Sequence, residues 1–379
     1  MSQLKARLNE SAPLIQVVVG PRQVGKTTAI RAALPKNSIY ETGDSPTPLP
    51  PSYIEKLWHQ AVETSAKVLA IDEVQKISGW SEVIKKLWDS NPKQLKVILS
   101  GSAALSIEKD LRESLAGRYE LIPAMHWSFR EANTAFGISL EQYLEFGCYP
   151  GSIPLLNDVS RWASYIRDSI VEPVIGRDIL QLHPVEQPAL LRQLFGFCVS
   201  SPAQIVSMNK LQGQLQDKGA LATLQNYLDL LGKSFLVSGL QKFSQRPLVT
   251  RRSPPKIIVH DNALLRAFER PAQGPLQKSR LGQYLENSVG ARLVEAGWDV
   301  YYWRDREAEV DFIANGPQGE KWAIEVKSGA FKGGDLKSLQ GFCRLHKEYK
   351  PIVIGLVAGP MSSDFEFVPA ERVLAFETQ

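Results

Sequence analysis

Residues 14 to 28 read Leu-Ile-Gln-Val-Val-Val-Gly-Pro-Arg-Gln-Val-Gly-Lys-Thr-Thr, and no other stretch constrains the fold as tightly. An apolar strand runs into a loop bounded by two glycines, and a helix follows through Ala29–Leu34. Gly20-x-x-x-x-Gly25-Lys26-Thr27 fills the P-loop template. The spacing serves a purpose. A short loop between strand and helix turns its N–H groups inward as a nest for anionic oxygens, and the helix N-terminus adds partial positive charge. The cradle comprises Gly20, Pro21, Arg22, Gln23, Val24, Gly25, Lys26, Thr27 and Thr28. Lys26 would reach the β- and γ-phosphates, and the Thr27 hydroxyl would ligate Mg²⁺. Gly25 permits a backbone conformation that a Cβ obstructs.

Strand–helix alternation continues. Ser38–Tyr40 reads as a strand, Pro46–Pro51 as a break and Tyr53–Thr64 as a helix. Lys67-Val68-Leu69-Ala70-Ile71-Asp72-Glu73 is an apolar run ending in two acids, the form of a buried parallel strand whose carboxyl end meets a ligand. This is the Walker B pattern. Asp72 would hold Mg²⁺ through water and Glu73 would orient or activate the attacking water. The plainer alternative is an acidic strand end facing solvent. Ser81–Asp89 reads as a helix, with Trp80 and Trp88 as packing residues. Lys96–Ser102 is the next strand, and Ser102 either senses the γ-phosphate or closes an ordinary turn. ATP and Mg²⁺ are the expected ligands.

A chain of 379 residues accommodates two to four domains. A net charge of +4 does not by itself indicate a nucleic-acid partner, so only the distribution of charge can. Cys148, Cys198 and Cys343 are scattered among apolar neighbours, which suits reduced thiols better than disulfides or a metal site. With neither a signal-peptide pattern nor an apolar run of bilayer length, a cytoplasmic protein without membrane contact is expected.

The middle of the chain is helical. Leu140–Phe146 and Val159–Leu182 flank a Gly147–Ser152 loop and suggest a small lid. Ala189–Val199, Met208–Asp217 and Leu221–Leu231 follow as three helices, the last two joined at Lys218-Gly219. Ser234–Ser238 and Lys256–His260 read as a hairpin. Three helices and a hairpin are a winged-helix arrangement, with Thr223–Asp229 as recognition helix. The proposed wing, Gln241 to Lys256, carries Lys242, Arg246, Arg251, Arg252 and Lys256 and no acid. Such a hairpin suits phosphate contacts, which position DNA without reading sequence. The recognition helix offers Gln225 and Asn226 but no Arg or Lys, which argues against sequence-specific readout. A protein-contact role is the alternative.

Pro271–Pro275 reads as a linker. Leu281–Ala296 is an amphipathic helix ended by Gly297. Trp298–Trp303, Glu309–Ala314 and Lys321–Lys327 are strands. Asp311, Glu325 and Lys327, with Glu286 on the preceding helix, form an Asp-x₁₃-Glu-x-Lys pattern that looks like the PD-(D/E)XK nuclease core. The resemblance implies that Asp311 and Glu325 bind Mg²⁺, that Glu286 completes the metal shell, and that Lys327 steadies the attacking water or phosphate charge. Strand alternation puts Glu325 and Lys327 on one face. Glu348-Tyr349-Lys350 also matches Glu-x-Lys, but it is expected off any strand core. The alternative for this region is a nuclease fold kept as a binding scaffold, its acids paired to bases such as Arg304 and Arg306.

The order of these motifs carries a wider resemblance. Gly-Pro-Arg-Gln-Val-Gly-Lys-Thr-Thr, Ile-Asp-Glu-Val-Gln-Lys, Leu-Ser-Gly-Ser-Ala, Leu115-Ala116-Gly117-Arg118 and Trp127-Ser128-Phe129-Arg130-Glu131 occur in sequence. The chain resembles a prokaryotic AAA+ ATPase family with a C-terminal domain of unknown function, over nearly its whole length. The resemblance implies that Arg118 is a trans-acting finger on a neighbour's γ-phosphate, hence a homo-oligomer, and that Arg177-Asp178 either reports nucleotide state or is a buried ion pair. His126-Trp127 departs from the family's usual Pro-Leu. The expected fold is α/β and multidomain: a P-loop AAA+-type ATPase core (1–135), a helical lid (136–185), a winged helix (186–270) and a PD-(D/E)XK restriction-endonuclease-like α/β domain (271–379). The expected function is ATP hydrolysis coupled to duplex or branched DNA, as a motor or processing factor with Mg²⁺-dependent nuclease capacity. The alternative is a nucleotide-controlled switch or assembly protein whose C-terminal domains only bind a partner. A protein-remodelling role is disfavoured because no pore-loop segment is recognisable.

Overall fold

A computed structural model describes residues 2–10, 14–90, 95–102, 110–180, 185–214, 221–244, 253–269, 276–359 and 363–376. Arg246, Arg251, Arg252, the Lys218-Gly219 joint and the Pro271–Pro275 linker lie outside these residues. The chain divides into two units, Met1–Met125 and His126–Gln379.

The first unit contains α1 (Ser2–Leu8), β1 (Ile15–Val19), α2 (Lys26–Ala33), β2 (Ser38–Thr42), α3 (Ser52–Glu63), β3 (Val68–Asp72), α4 (Trp80–Ser90), β4 (Lys96–Gly101) and β5 (Tyr119–Pro123). The strands pair in parallel in the order β2-β3-β4-β1-β5. Their near-continuous apolar runs follow from burial on both faces. Ile15, Val17, Leu69, Ile71, Val97 and Leu99 face one core with α3 and α4. Val18, Val68, Ala70 and Ile98 face the other with Leu4 and Ile30 of the first two helices. Trp80 and Trp88 are buried in the former core, as packing residues. The order has a consequence for chemistry. β4 lies between the P-loop strand and the acidic strand, so its end, Ser100–Ser102, falls between Lys26 and Asp72.

The second unit begins with α5 (Phe129–Phe136), α6 (Leu140–Phe146) and α7 (Val159–Tyr165). The helix expected over Val159–Leu182 does not stay α-helical. Beyond Tyr165 it widens into π-helical turns at Ile166–Val171 and Val174–Ile179, separated by Pro173, which has no N–H to give the preceding turn. Next come α8 (Pro188–Ser200), α9 (Met208–Gln214), α10 (Leu221–Lys233) and the antiparallel pair β6 (Val237–Leu240) and β7 (Lys256–Val259). β6 starts later than its sequence suggests, because Phe235 sits at φ +59° in the turn that ends α10.

Then follow α11 (Asn262–Phe268), α12 (Lys278–Glu295), β8 (Asp299–Asp305), β9 (Ala308–Asn315), β10 (Lys321–Lys327), α13 (Lys337–Leu345), β11 (Lys350–Gly355), β12 (Glu366–Pro369) and α14 (Ala370–Leu374). The second sheet is mixed, ordered β12-β11-β10-β9-β8, with antiparallel pairing among β8, β9 and β10 and parallel pairing beyond. Of Glu348-Tyr349-Lys350, only Lys350 falls in a strand, as the exposed first residue of β11. That strand pairs Lys350 with Trp322, at the end of β10 remote from Lys327, and Lys350 makes an ion pair with Glu366. One core runs from Phe129, Tyr143 and Leu144 through Ile258 to Leu285, Phe312, Ile324 and Leu374, so the second unit is not split between its helical and sheet portions. Among the described residues no helix is long and apolar enough to cross a membrane.

Candidate nucleotide site and acid cluster

The P-loop glycines have separate tasks. Gly25 caps α2 at φ +91°, a left-handed conformation that suits glycine. Gly20 is required by a close approach instead: a Cβ there would lie 1.9 Å from the Ala124 carbonyl oxygen, beyond the end of β5. The Lys26 ammonium is buried and donates to the carbonyls of Gly20 (2.9 Å) and Pro21 (2.6 Å). It gains by exchanging them for phosphate oxygens, because ionised acceptors make the stronger bonds.

Asp72, at the end of β3, is buried and receives four hydrogen bonds. Thr27 Oγ1 (2.5 Å) and Tyr40 (2.7 Å) donate to Oδ2, and Ser100 Oγ (2.6 Å) and the Glu73 N–H (3.0 Å) to Oδ1. Burial alone would raise its pKa. The bonds from Ser100, Thr27 and Tyr40 outweigh burial and hold it below the ordinary value. The Thr27 proton is committed to this carboxylate, so its lone pairs remain for a cation. Sequence reasoning missed Tyr40 and Ser100, although both lie on strands flanking the acidic one.

Glu73 adopts φ +50°, unusual for a non-glycine residue. Gln75 Nε2 (2.6 Å) and Ser102 Oγ (3.3 Å) donate to its Oε2, so Ser102 is joined to Glu73 in this arrangement. Arg118 lies elsewhere. Its neighbour Tyr119 pairs with Ile15, four residues before the end of β1 and so about 13 Å from the P-loop. Its guanidinium makes a bidentate ion pair with Asp89 at 2.7 and 2.9 Å on a partly exposed surface.

In the second unit, Glu286 comes from α12, Glu309 and Asp311 from β9, and Glu325 and Lys327 from β10. A bulge aims Asp311. Between the pairs Tyr301↔Ile313 and Trp303↔Val310, β8 advances two residues and β9 three, leaving one extra residue at Asp311–Phe312. Asp311 Oδ2 accepts the Val326 N–H at 2.7 Å. The Lys327 ammonium donates to Glu325 Oε1 at 2.8 Å. Glu325 Oε2 is buried with no hydrogen-bond partner among the described residues. Burial, reinforced by the Asp311 charge, pushes the pKa of Glu325 upward, as it does that of Glu286.

The residue that sequence reasoning placed wrongly is Lys256. It is the first residue of β7, but its side chain is wholly buried rather than displayed on a basic wing. The ammonium lies 2.5 Å from Glu286 and 3.9 Å from both Glu309 and Asp311, donates to the Asp311 carbonyl at 3.1 Å, and sits 4.7 Å from the Phe312 ring centroid. The acids are thus paired with Lys256 and Lys327, and of the expected Arg304 and Arg306 only Arg304 approaches, 3.9 Å from Glu309 at the rim. Lys242 is half-buried, and its backbone forms a parallel β-bridge with Tyr302 of β8.

A second buried network occupies the position of the His126-Trp127 departure. Glu295 Oε1 is 2.6 Å from His126 Nδ1 and 3.2 Å from His260 Nδ1. The other ring nitrogens meet the hydroxyls of Tyr149 (2.9 Å) and Ser238 (2.8 Å), and Arg292 lies 3.6 Å from Glu295 Oε2. Among the described residues this is the one trio of His, Cys, Asp or Glu whose ligand atoms all lie within 4.8 Å of one another. With every ring nitrogen partnered and Arg292 balancing the charge, it reads as an ion-pair network rather than a vacant ligand set. Burial opposes charge on both His126 and Glu295, yet their attraction wins: His126 is raised and Glu295 is lowered to about 2. On its wide turn, Asp178 is buried and Arg177 is exposed.

The parallel sheet, the P-loop and the acidic strand end together define the first unit as a P-loop domain. Comparison agrees: residues 12–133 match the AAA domain family. Residues 138–273 and 281–375 match two domains of unknown function, DUF8612 and DUF4143. The uncharacterized protein Rv2008c of Mycobacterium tuberculosis is 26% identical over 96% of this chain and 81% of its own length. The uncharacterized protein MJ1544 of Methanocaldococcus jannaschii is 23% identical over 68% of this chain and 60% of its own. A solved structure, a DNA polymerase III gamma subunit-related protein of Thermotoga maritima, is similar over 78% of this chain and 85% of its own at 10% identity, with a TM-score of 0.30.

Proposed function

We propose that the chain is an Mg²⁺-dependent ATPase that works as a homo-oligomer on duplex or branched DNA without sequence preference. The observation that carries the ATPase is the Thr27–Asp72 hydrogen bond beside Lys26 and Glu73. It joins the cradle to the acidic strand in the arrangement nucleotide hydrolysis needs. Mg²⁺ bound there would screen the phosphate charge, with Thr27 and Asp72 to hold it; Lys26 would bind the β- and γ-phosphates, and Glu73, once turned from Gln75 and Ser102, would accept a proton from the attacking water. Arg118 is too far from its own P-loop to act there, which supports a role on a neighbour's nucleotide.

The DNA role rests on the three helices and hairpin of residues 188–259, taken as a winged helix, with Lys242, Arg246, Arg251 and Arg252 as phosphate contacts. The acid cluster is taken as a PD-(D/E)XK-type site for Mg²⁺. The unpartnered Glu325 oxygen beside Asp311 suits a hard cation. Lys327 would steady charge on a phosphate there.

A nucleotide-controlled assembly switch is the second reading, favoured by the internal pairing of the acids with Lys256 and Lys327. The deciding measurement is the Mg²⁺-dependent ATPase rate without DNA and with single strands, duplex and branched junctions, wild type beside Glu73→Gln. Stimulation by one DNA form is the expected outcome. A low rate indifferent to all four transfers the assignment to the switch.

A further inference from the structure

The acid cluster contains two places for positive charge, and they differ in what already fills them. On one side, Glu286 and the Asp311 carbonyl converge on the Lys256 ammonium at 2.5 and 3.1 Å, with the Glu309 and Asp311 carboxylates both at 3.9 Å. On the other side, Glu325 offers a buried oxygen without a hydrogen-bond partner among the described residues, next to the Asp311 carboxylate. Burying a charge is costly unless it is paired. Lys256 is fully buried on a strand held at Val259 by both ends of the Asn287 amide, so it cannot leave the acids without abandoning that cost unpaired. Three inner carboxylates, Glu286, Asp311 and Glu325, face two ammonium groups, Lys256 and Lys327. Glu286 is paired to Lys256 at 2.5 Å and Glu325 Oε1 to Lys327 at 2.8 Å, so the least compensated of the three is Asp311, 3.9 Å from Lys256 and beside the free Glu325 Oε2.

We propose that Lys256 is a built-in cation of this cluster: its ammonium occupies the Glu286 side, a single divalent ion binds at Asp311 and Glu325, and Glu286 is a lysine-holding residue rather than a metal ligand. The inference rests on taking the cluster as a metal site and goes beyond it in fixing the ion count and the ligand set. It follows that any phosphate chemistry here runs with one metal, the second positive charge being covalently attached to the hairpin that leads to the basic segment.

The test is Mn²⁺ binding to the nucleotide-free full chain, followed by calorimetry and by electron paramagnetic resonance of the ion, so that it does not depend on catalysis. Wild type is compared with Asp311→Asn, Glu325→Gln, Glu286→Gln and Lys256→Met. Asp311→Asn and Glu325→Gln are expected to weaken one Mn²⁺ by about tenfold or more, and Glu286→Gln to leave it within about twofold. Lys256→Met is expected to admit a second Mn²⁺, and adding Glu286→Gln to it to remove that ion again. If Glu286→Gln weakens Mn²⁺ as much as Asp311→Asn does, Glu286 is a ligand and the inference fails while the metal assignment stands. If Asp311→Asn and Glu325→Gln bind as wild type does, the metal assignment fails and takes the inference with it. Should Lys256→Met not fold, the Glu286→Gln comparison decides alone.

Discussion

Asp72 in the first unit and Asp311 in the second each anchor a site directed at positive charge, yet their neighbours differ in kind. Asp72 is surrounded by neutral donors: two hydroxyls and a phenol on its flanking strands and helix, and one backbone N–H. They stabilise the anion without cancelling its charge, so the balancing cation must arrive with the ligand. Asp311 stands among other carboxylates and two lysines, so most of the balancing charge is already in the protein. A site of the first kind is built to cycle through loaded and empty states. A site of the second kind keeps its field whether or not an ion is bound.

That contrast can be broken most severely in the first unit. Lys26→Ala is expected to lower ATP turnover by about a thousandfold while leaving Mn²⁺ binding by the acid cluster unchanged; parallel loss of both would mean the two sites are not independent. Arg118→Ala is expected to cost about a thousandfold in turnover with nucleotide affinity little changed. Mixing it with Lys26→Ala subunits should restore part of the rate, because each lacks what the other supplies across an interface. Failure to complement removes the trans-acting role.

The third test concerns charge balanced wholly inside the protein, at His126 and Glu295, which face Asp261, Arg292, His260 and Tyr149. Glu295, lowered from 4.5 to about 2, contributes stability above its unfolded value that is lost as the pH falls toward 2. His126, raised above 6.5, contributes stability that is complete below 6.5 and is lost as the pH rises through its folded value. Burial raises Asp261, whose contribution falls as the pH rises above its ordinary value and so opposes that of Glu295. The network's contribution should therefore be greatest between about 4.5 and 6.5. Glu295→Gln is expected to lower the thermal midpoint by roughly 5–10 °C in that window and to flatten its acid limb. An unaltered acid limb would assign it to other groups. The smallest expected effect is at the hairpin. Arg251→Ala with Arg252→Ala should reduce the slope of log affinity for duplex against log salt by about two, close to one per lost phosphate contact. An unchanged slope removes those residues from the DNA surface.

The two sites were also unequally legible. The P-loop is contiguous, so its strand, loop and helix can be read as one sentence, and Asp72-Glu73 follows at the end of the next buried strand. Ser100 and Tyr40 escaped notice because nothing local marks which strands will flank an acid; that depends on β4 being inserted between β1 and β3. The acid cluster draws on α12, β7, β9 and β10. Strand alternation correctly joined Glu325 to Lys327, but the bulge at Asp311 breaks alternation and has no glycine to announce it. Lys256 reads as wing charge in the sequence because Lys-Ile-Ile-Val resembles any strand entered from solvent. Only the path of β7 beside Glu286 reveals the inward turn of its side chain. The wide-turn segment around Pro173 likewise keeps apolar periodicity close enough to 3.6 to pass for an ordinary helix.

Strand β7 is bolted to α12 at three successive points: Lys256 to Glu286, the Val259 amide group to Asn287, and, just past its end, His260 to Glu295. Sliding the strand by one residue would turn Lys256 to the opposite face and strand charge at both ends. A cut between α11 and α12 would put the two members of all three pairs on separate fragments and leave each fragment with buried polar groups facing nothing. The hairpin and the acid cluster are therefore not interchangeable cassettes. A change that loosens one should be sought in the behaviour of the other.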